Sequence, residues 1–233
     1  MTISEMRTWG KSEFSFSSTP SLDIDCLLVS ALQKTGFPNI NRSFLLSHNE
    51  DRLLPQTVKL CKKYVSQRKT GLPIAYILEE KEFFGYSFYV NPAVLIPKPD
   101  TELLIEKTLE EVEKITKGIR APELYTEKEI SIADICTGSG CIAITLLLQL
   151  KEKQIPARIY GTDISEKALE VAKKNRSRLL ESQESSLSFY LGDLTQPLTQ
   201  NQQYTLIVSN PPYVPCSVTK ELLRDDRNEP SLA

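Results

Sequence analysis

Apolar residues recur at helical spacing through the first third of the chain. Between residues 22 and 33 an apolar side chain falls at every third or fourth position, which predicts an amphipathic helix. These apolar positions are Leu22, Cys26, Val29 and Leu32. Residues 41–48 and 55–71 predict two further helices, and residues 1–19 predict a tail or a short first helix. We therefore expect residues 1–80 to form a small helical bundle.

After residue 80 the hydrophobic period changes from helical to alternating. The alternating apolar positions are Phe84, Tyr86, Phe88 and Val90. This pattern predicts paired strands or a hairpin, in which Gly85 allows a bulge or bend. Residues 81–97 are accordingly expected to form a β-hairpin linker. The apolar spacing of residues 105–112 then predicts a helix, which opens a second domain at residues 98–233.

From residue 130 onwards, short apolar runs alternate with helical patterns. Four strands are predicted, and they end just before a glycine turn that begins at residue 137, at Asp163, at Asp193 and at Asn210. Alternation of strands and helices predicts an α/β fold with a parallel, Rossmann-like sheet and right-handed crossovers. In the strand order 3-2-1-4, the first and fourth strands would be neighbours. Ligands of such sheets bind beyond the carboxyl ends of the strands.

The first of these strands is followed by the tetrapeptide TGSG at positions 137–140. Glycines let the backbone approach a ligand closely, and the helix that follows presents its unpaired N–H groups. Alone, such a turn is also typical of a tight connection in any α/β domain. Asp163 lies 23 residues past Gly140, close to where dinucleotide-binding folds place a ribose-binding carboxylate. Together, the turn and Asp163 predict a nucleotide-like ligand.

The tetrapeptide NPPY at positions 210–213 follows the fourth strand. Its two prolines fix an extended backbone and remove two N–H donors, so the carbonyl groups of Asn210 and Pro211 become fixed acceptors. The side-chain oxygen of Asn210 is a third acceptor, beside the aromatic ring of Tyr213. These groups suit a flat, conjugated NH₂ group, either an amide or an exocyclic base amine, facing an electrophilic methyl group on a sulfonium. The alternative is a rigid turn that leaves a strand.

Composition narrows the classes of function. The net charge of -2 and the pI of about 5.7 disfavour a wide duplex-DNA surface, which needs clustered Lys and Arg. No apolar run is long enough to span a membrane and the N-terminus does not resemble a secretory signal, so we expect a cytoplasmic protein with no membrane partner. Five cysteines without a CxxC pair and the single histidine, His48, indicate no metal site.

The motifs DxCTGSG and NPPY, with Asp163 between them, resemble those of the class I, Rossmann-like methyltransferases that use S-adenosylmethionine. In that superfamily NPPY marks methylation of amino groups. The stretch FFGYSFYVNPAVLIPKPDTELLIE, the helical module before it, SNPPYVP and the closing EPSLA together resemble the HemK/PrmC family. These enzymes are the glutamine methyltransferases of peptide chain release factors. The resemblance implies a helical substrate-docking domain at 1–80, the linker at 81–97 and a methyltransferase domain at 98–233.

The resemblance also implies roles for individual residues and for partners. The methionine part of S-adenosylmethionine would be cradled by Asp134, Cys136, Thr137, Gly138, Ser139 and Gly140. Asp163 would hold the ribose, and Asp193 and Leu194 would flank the adenine. The substrate amide would be held by Asn210, Pro211, Pro212 and Tyr213, with Asn210 also beside the cofactor. The implied acceptor is the glutamine of the release factor's GGQ loop, and a monomer that does not bind nucleic acid directly is expected.

Two departures from the family pattern affect these expectations. The family usually has glycine where this chain has Cys136, so a side chain stands beside the cofactor. Family members normally continue past EPSLA, so the methyltransferase domain is expected to be incomplete at its C-terminus. Two alternatives stay open at this point. One is a DNA or RNA amino-methyltransferase that flips a base into the NPPY pocket, and the other is a non-catalytic, cofactor-binding remnant.

Overall fold

The computed structural model describes residues 1–120, 129–180, 184–198 and 203–212. The chain divides into two compact units, of which the first comprises Met1–Leu78 and the second begins at Glu79. Within the described ranges, no helix has both the length and the apolar character needed to cross a membrane. Tyr213 of the NPPY segment and the closing EPSLA lie outside the described residues.

The first unit is a bundle of five helices, as the helical period predicts. They are α1 (Ile3–Glu13), α2 (Pro20–Lys34), α3 (Arg42–Ser47), α4 (Pro55–Arg68) and α5 (Ile74–Leu78). Helix α1 begins with a capping box, in which the Thr2 side chain accepts from the Glu5 N–H and the Glu5 carboxylate accepts from the Thr2 N–H. Since Met6 and Phe14 are fully buried, the N-terminal stretch is a packed helix and not a loose tail.

The apolar stripe predicted for α2 is confirmed in part, because Leu32 is buried and Val29 packs against the core of this unit. Leu22 is 39% exposed, whereas the buried face also carries Leu27 and Leu28. This face buries Asp23 and Asp25 as well, which hydrophobic periodicity does not predict. Both carboxylates are paired, Asp23 with Arg68 at 3.0 Å and Asp25 with Arg7 at 2.7 Å. Because a buried charge is tolerated when it is paired and hydrogen-bonded, the ion pairs allow this face of the helix to turn inward.

The second unit begins with an antiparallel hairpin of β1 (Lys81–Phe83) and β2 (Tyr86–Phe88). Phe84 and Gly85 form its two-residue turn, with φ angles of 51° and 78°. Two consecutive positive φ angles match the twist of the paired strands, so Gly85 closes a tight turn where we expected a bulge or bend. Phe84 is therefore a turn residue, and Phe83 takes the buried strand position instead.

Beyond the hairpin, helices alternate with the strands of a four-stranded sheet. These elements are α6 (Glu102–Thr116), β3 (Ile130–Ile135), α7 (Cys141–Glu152), β4 (Ala157–Asp163), α8 (Glu166–Leu179), β5 (Leu187–Leu191) and β6 (Leu206–Ser209). The sheet is parallel throughout, in the order β5-β4-β3-β6. This confirms the α/β prediction and the order 3-2-1-4. Strand β3 lies inside the sheet, and its apolar residues join α6 and α7 in one core.

Candidate active site

The carboxyl ends of β4, β3 and β6 meet at one edge of the sheet. Ile135, the last residue of β3, pairs with Thr162 of β4 on one side and with Ser209 of β6 on the other. The Ser209 hydroxyl also donates to the Ile135 carbonyl oxygen at 2.7 Å. The segments that leave these strands are the glycine turn, the segment after Asp163 and the NPPY segment. The candidate site therefore forms where parallel sheets bind ligands.

The glycine turn depends on three left-handed backbone positions. Cys136, Gly138 and Gly140 have φ angles of 61°, 55° and 77°. The turn is closed by the Thr137 N–H, which donates to the Thr162 carbonyl oxygen at 2.9 Å, and by the Gly140 N–H, which donates to the Thr137 carbonyl oxygen at 2.8 Å. Gly140 is the N-cap of α7 and has no side chain to bond the first N–H groups of the helix. One of these donors, the Ala143 N–H, is directed at the buried Asp134 carboxylate.

The carboxylate of Asp163 is fixed by backbone donors on both sides. Its Oδ2 accepts from the Gly138 N–H at 2.8 Å, and its Oδ1 accepts from the Ser165 N–H at 2.9 Å. The side chain is only half-buried. A carboxylate has about four acceptor positions, so each oxygen keeps one for a hydroxyl donor. Asp163 thus joins the glycine turn to the start of α8, whose first turn is capped by the Ser165 hydroxyl.

Asp134 is placed below the turn and has no exposed surface. Its Oδ2 accepts from the Thr137 hydroxyl at 2.6 Å, while its Oδ1 has no hydrogen-bond partner in the part of the chain that the structure describes. Burial raises the pKa of this carboxyl from 3.8 to about 7, against the opposing effects of the Thr137 hydroxyl and the Ala143 N–H. In this structure Asp134 supports the turn from beneath.

Cys136 connects the turn to the NPPY side of the site. It is the first residue after β3, as Asn210 is the first after β6, so the two leave the sheet beside each other past the Ile135–Ser209 pair. Burial raises the pKa of the Cys136 thiol, and the charges of Asp163 and Asp134 raise it further, whereas a hydrogen bond with Ser209 opposes them.

The remaining predicted site residues lie at the ends of β5 and β6. Asp193 and Leu194 follow β5 and are both exposed, Leu194 by 55%. The carbonyl oxygen of Leu194 accepts from the Thr162 hydroxyl at 2.8 Å, which ties this segment to the end of β4. Asn210 is half-buried, and the prolines that follow it are exposed.

Two residues that hold the site together were not predicted from the sequence. At Gly161 an added Cβ would lie 2.6 Å from Cδ1 of Phe189 and 3.0 Å from the Thr137 hydroxyl oxygen, so only glycine fits there. The sequence feature that could have identified Gly161 is a glycine inside a buried strand, which often marks a place where another group approaches the backbone closely. Asn175 is wholly buried and donates to the Ser139 carbonyl oxygen at 2.9 Å. The sequence feature that could have identified Asn175 is a polar residue within the apolar stripe of a helix.

The geometry fits S-adenosylmethionine. A Cβ built on Gly138 meets no atom of the described residues within 4 Å, so this side of the turn is open toward them. Asp163, with its free acceptor positions, lies directly beside that opening. The apolar Leu194 is exposed after β5, the strand next to β4 in the sheet. Among the residues that the structure describes, His, Cys, Asp and Glu form no group that could hold a metal ion.

The parallel sheet, the glycine turn after its first strand and the carboxylate after its second define a methyltransferase domain that uses S-adenosylmethionine. Residues 113–225 match the family model described as "Methyltransferase small domain", and residues 5–78 match the "PrmC N-terminal domain". The chain belongs to the release factor glutamine methyltransferase family.

Similarity to curated relatives extends over most of the chain. The release factor glutamine methyltransferase of Leptospira interrogans is 38% identical over 214 residues, which are 91% of this chain and 67% of the relative. That of Vibrio cholerae is 33% identical, over 93% of this chain and 67% of the relative. That of Bacillus cereus is 36% identical, over 76% and 56%. The chain thus spans between about half and two thirds of the length of these relatives.

Solved structures give a weaker match. The N-terminal domain of human METTL16 aligns with 85% of this chain and 72% of its own length, at 18% identity and a TM-score of 0.42. That score is too low to add to the assignment made from strand order, glycine turn and family.

Proposed function

We propose that this chain transfers a methyl group from S-adenosylmethionine to the side-chain amide nitrogen of the glutamine in the GGQ motif of peptide chain release factors. The observation that carries the proposal is the direct pairing of β3 with β6, up to Ile135 and Ser209. Because of this pairing, the glycine turn and the NPPY segment begin side by side. The names of the relatives support a release factor as the methyl acceptor.

The acceptor side of the site would work by orientation. An amide nitrogen is a poor nucleophile because its lone pair is delocalised into the carbonyl group. The backbone oxygens of Asn210 and Pro211 and the side-chain oxygen of Asn210 would accept the two amide hydrogens and fix the face of the nitrogen. They would also stabilise the positive charge that develops on nitrogen as its bond to the methyl carbon forms and the bond between that carbon and the sulfonium sulfur breaks, which leaves a neutral thioether. One of the held hydrogens would then be lost to water as a proton.

The cofactor side would be formed by the glycine turn and the neighbouring strand ends. S-adenosylmethionine supplies an electrophilic methyl group on a sulfonium when it is bound. Residues 136–140, over the buried Asp134, would cradle its methionine part, and Asp163 would accept hydrogen bonds from the ribose hydroxyls. Asp193 and Leu194 would flank the adenine. The openness at Gly138 and the exposure of Leu194 support this arrangement.

The helical unit would dock the release factor. Residues 5–78 match the N-terminal family model, and this unit carries a core of its own. We propose residues 81–97 as the hairpin linker and residues 98–233 as the methyltransferase domain. The hairpin packs with the second unit, since Phe83 and Phe88 lie in the same core as β3 and α7.

A labelling experiment tests the proposal. The protein is incubated with S-adenosylmethionine carrying a labelled methyl group and with a bacterial peptide chain release factor, and the label is located by peptide mass spectrometry. We expect label on the GGQ glutamine and none on a release factor in which that glutamine is replaced by alanine. Label on added RNA or DNA would instead favour a nucleic-acid amino-methyltransferase. Cofactor binding without any transfer would indicate a non-catalytic module.

Two variants separate the two halves of the site. Asn210→Ala is expected to lower kcat by about 100-fold or more while changing the Kd for S-adenosylmethionine little, because it removes an acceptor for the substrate amide. Asp163→Ala is expected to raise that Kd first, because it removes the ribose acceptor and frees the Gly138 N–H. Unchanged turnover in Asn210→Ala would refute the amide-acceptor role.

A further inference from the structure

Asn175 in α8 uses its whole side-chain amide to join two distant segments of the second unit. Its Oδ1 accepts from the Tyr89 N–H at 2.7 Å, and its Nδ2 donates to the Tyr89 carbonyl oxygen at 2.9 Å. The same Nδ2 donates to the Ser139 carbonyl oxygen, also at 2.9 Å. Both hydrogens of the amide and one lone pair of its oxygen are therefore engaged, in a side chain with no exposed surface.

The bond to Ser139 fixes one particular peptide group of the glycine turn. This group joins Ser139 to Gly140, and its N–H is already held by the Thr137 carbonyl oxygen at 2.8 Å. Reversing the group requires rotation about ψ of Ser139 and φ of Gly140. Since glycine populates positive and negative φ about equally, Gly140 offers little resistance to that rotation. The hydrogen bond from Asn175 holds the carbonyl end and so opposes the reversal.

The bonds to Tyr89 fix the segment that leaves the hairpin. Tyr89 directly follows β2, and its main chain exchanges two hydrogen bonds with Asn175 in the manner of a strand neighbour. The ring of Tyr89 lies under the ammonium group of Lys174, 3.1 Å from the ring centroid. Val90, the next residue, is fully buried. The exit of the hairpin is thus anchored to α8 by main chain and side chain alike.

We propose that Asn175 is a positioning residue for the cofactor, which keeps the Ser139–Gly140 peptide in one orientation and couples it to the exit of the hairpin. Without Asn175, the turn samples a reversed peptide, and S-adenosylmethionine binds only to the fraction with the correct one. The Kd then rises in inverse proportion to the fraction of molecules that keeps the correct orientation. This inference rests on the proposed use of S-adenosylmethionine at the turn and is independent of the methyl acceptor.

The test compares Asn175→Ala and Asn175→Asp with Lys174→Ala. The aspartate keeps the acceptor for the Tyr89 N–H but turns an oxygen toward the carbonyl oxygens of Ser139 and Tyr89, so it loses both contacts that the Nδ2 group donates. Lys174→Ala removes a contact with Tyr89 from the neighbouring position of the same helix and leaves the turn untouched. The Kd for S-adenosylmethionine is measured by titration calorimetry, well below the melting temperature of each variant. Hydrogen exchange of the peptide that covers residues 136–141 is measured in parallel.

We expect the Kd to rise by about tenfold or more in both Asn175 variants and to stay within about twofold of wild type in Lys174→Ala. Exchange at 136–141 should be faster in the Asn175 variants without ligand. A role confined to stability would lower the melting temperature and leave the Kd unchanged, and this result in a folded Asn175→Ala protein overturns the inference. If Asn175→Ala does not fold, the smaller change Asn175→Ser is judged by the same criterion. Normal cofactor binding by wild type without release factor methylation would count against the proposed function alone.

Discussion

Cys136 has a backbone conformation that suits glycine better than cysteine. Its φ of 61° lies in the left-handed region, which costs a residue with a Cβ about 1–2 kcal/mol. The structure thus supplies a reason for the glycine that the family pattern usually has at this position. The side chain is half-buried and packs beside the small cluster that contains Ile135 and Tyr160. The strained residue is therefore part of the glycine turn.

Replacing this residue by glycine should relieve the strain. We expect Cys136→Gly to raise the free energy of unfolding by up to about 1 kcal/mol, because the conformational gain exceeds the greater chain entropy of glycine when unfolded. Urea denaturation measures the change. Cys136→Ala is the matched control, since it removes the thiol but keeps the Cβ and the strain. Equal stabilities of the glycine and alanine variants would contradict the prediction.

Asp134 should make the stability of the protein depend on pH. Burial raises its pKa to about 7 from 3.8, so the folded state holds the proton more tightly than the unfolded chain does. The stability that this group contributes is complete below about pH 4 and is lost as the pH rises toward 7. Asp134→Asn has no such proton to lose, yet it still accepts a hydrogen bond from Thr137. Its stability relative to wild type should therefore increase between pH 5 and 7, by at most about 1.4 kcal/mol per pH unit.

Denaturation of both proteins at several pH values measures this difference. Taking the difference between variant and wild type cancels most of the contribution of the other carboxylates. A difference that stays constant from pH 5 to 8 would show that Asp134 is ionised in the folded state throughout that range.

The sequence predicted the residues of the site that are contiguous with a motif. The TGSG turn, Asp163 and Asn210 all lie at the ends of predicted strands, and the structure places them at one edge of the sheet. Asn175 was not found, because its importance comes from hydrogen bonds to Tyr89 and Ser139, which are 86 and 36 residues away along the chain. Hydrophobic periodicity contains no information about such partners.

At the scale of the structural elements, the glycine turn allows the effect of a substitution on stability to be separated from its effect on ligand binding. An added Cβ at Gly138 meets no atom of the described residues within 4 Å, so a methyl group there would point into the open space of the site. We expect Gly138→Ala to lower the free energy of unfolding by about 1–2 kcal/mol, because a residue with a Cβ is strained at the φ of 55° that this position has. We also expect it to raise the Kd for S-adenosylmethionine by about tenfold or more.

Gly118 provides the matched control for this substitution. It also has a positive φ, of 68°, and free space around an added Cβ, but it follows α6 and belongs to no predicted site. Gly118→Ala should lower stability by a similar amount and leave the Kd unchanged. If the two variants bind S-adenosylmethionine equally well, the open side of Gly138 does not face the cofactor.

The elements that periodicity predicted best are those with one uninterrupted apolar face. Strand β3 and helix α6 were found at their observed positions, and Ile105, Leu109 and Val112 are buried as predicted. The buried face of α2 was predicted only in part, because ion pairs, which periodicity does not register, let two carboxylates turn inward. The hairpin was predicted, but Gly85 was assigned to a bulge or bend and not to the turn, because Phe84 is an unusual residue at a positive φ.

At the scale of the whole molecule, the two units have separate hydrophobic cores. The core of Met1–Leu78 comprises fourteen buried residues, among them Phe14, Leu28 and Tyr64. This unit also carries ten basic and six acidic residues, in a chain whose net charge is -2. The excess positive charge is therefore confined to the helical unit, and the remainder of the chain is acidic.

The separate core predicts that residues 1–78 fold without the rest of the chain. We expect this fragment to give a helical circular dichroism spectrum and a cooperative thermal transition. Leu28→Ala, which removes a fully buried side chain, should cost the fragment about 2–5 kcal/mol and shift or abolish that transition. A coil-like spectrum of the unsubstituted fragment would show that the helical unit needs the second unit to fold.

The missing side chain at Gly161 has a consequence for recognising distant relatives of this site. Gly161 lies two residues before Asp163, and the ring of Phe189 occupies the space where a Cβ of residue 161 would stand, directly under the glycine turn. A sequence search that asks only for a glycine turn and a later acidic residue accepts many unrelated α/β proteins. Requiring in addition a glycine two positions before the acid, and an aromatic residue in the following strand, would select chains able to pack the floor of the site in the same way.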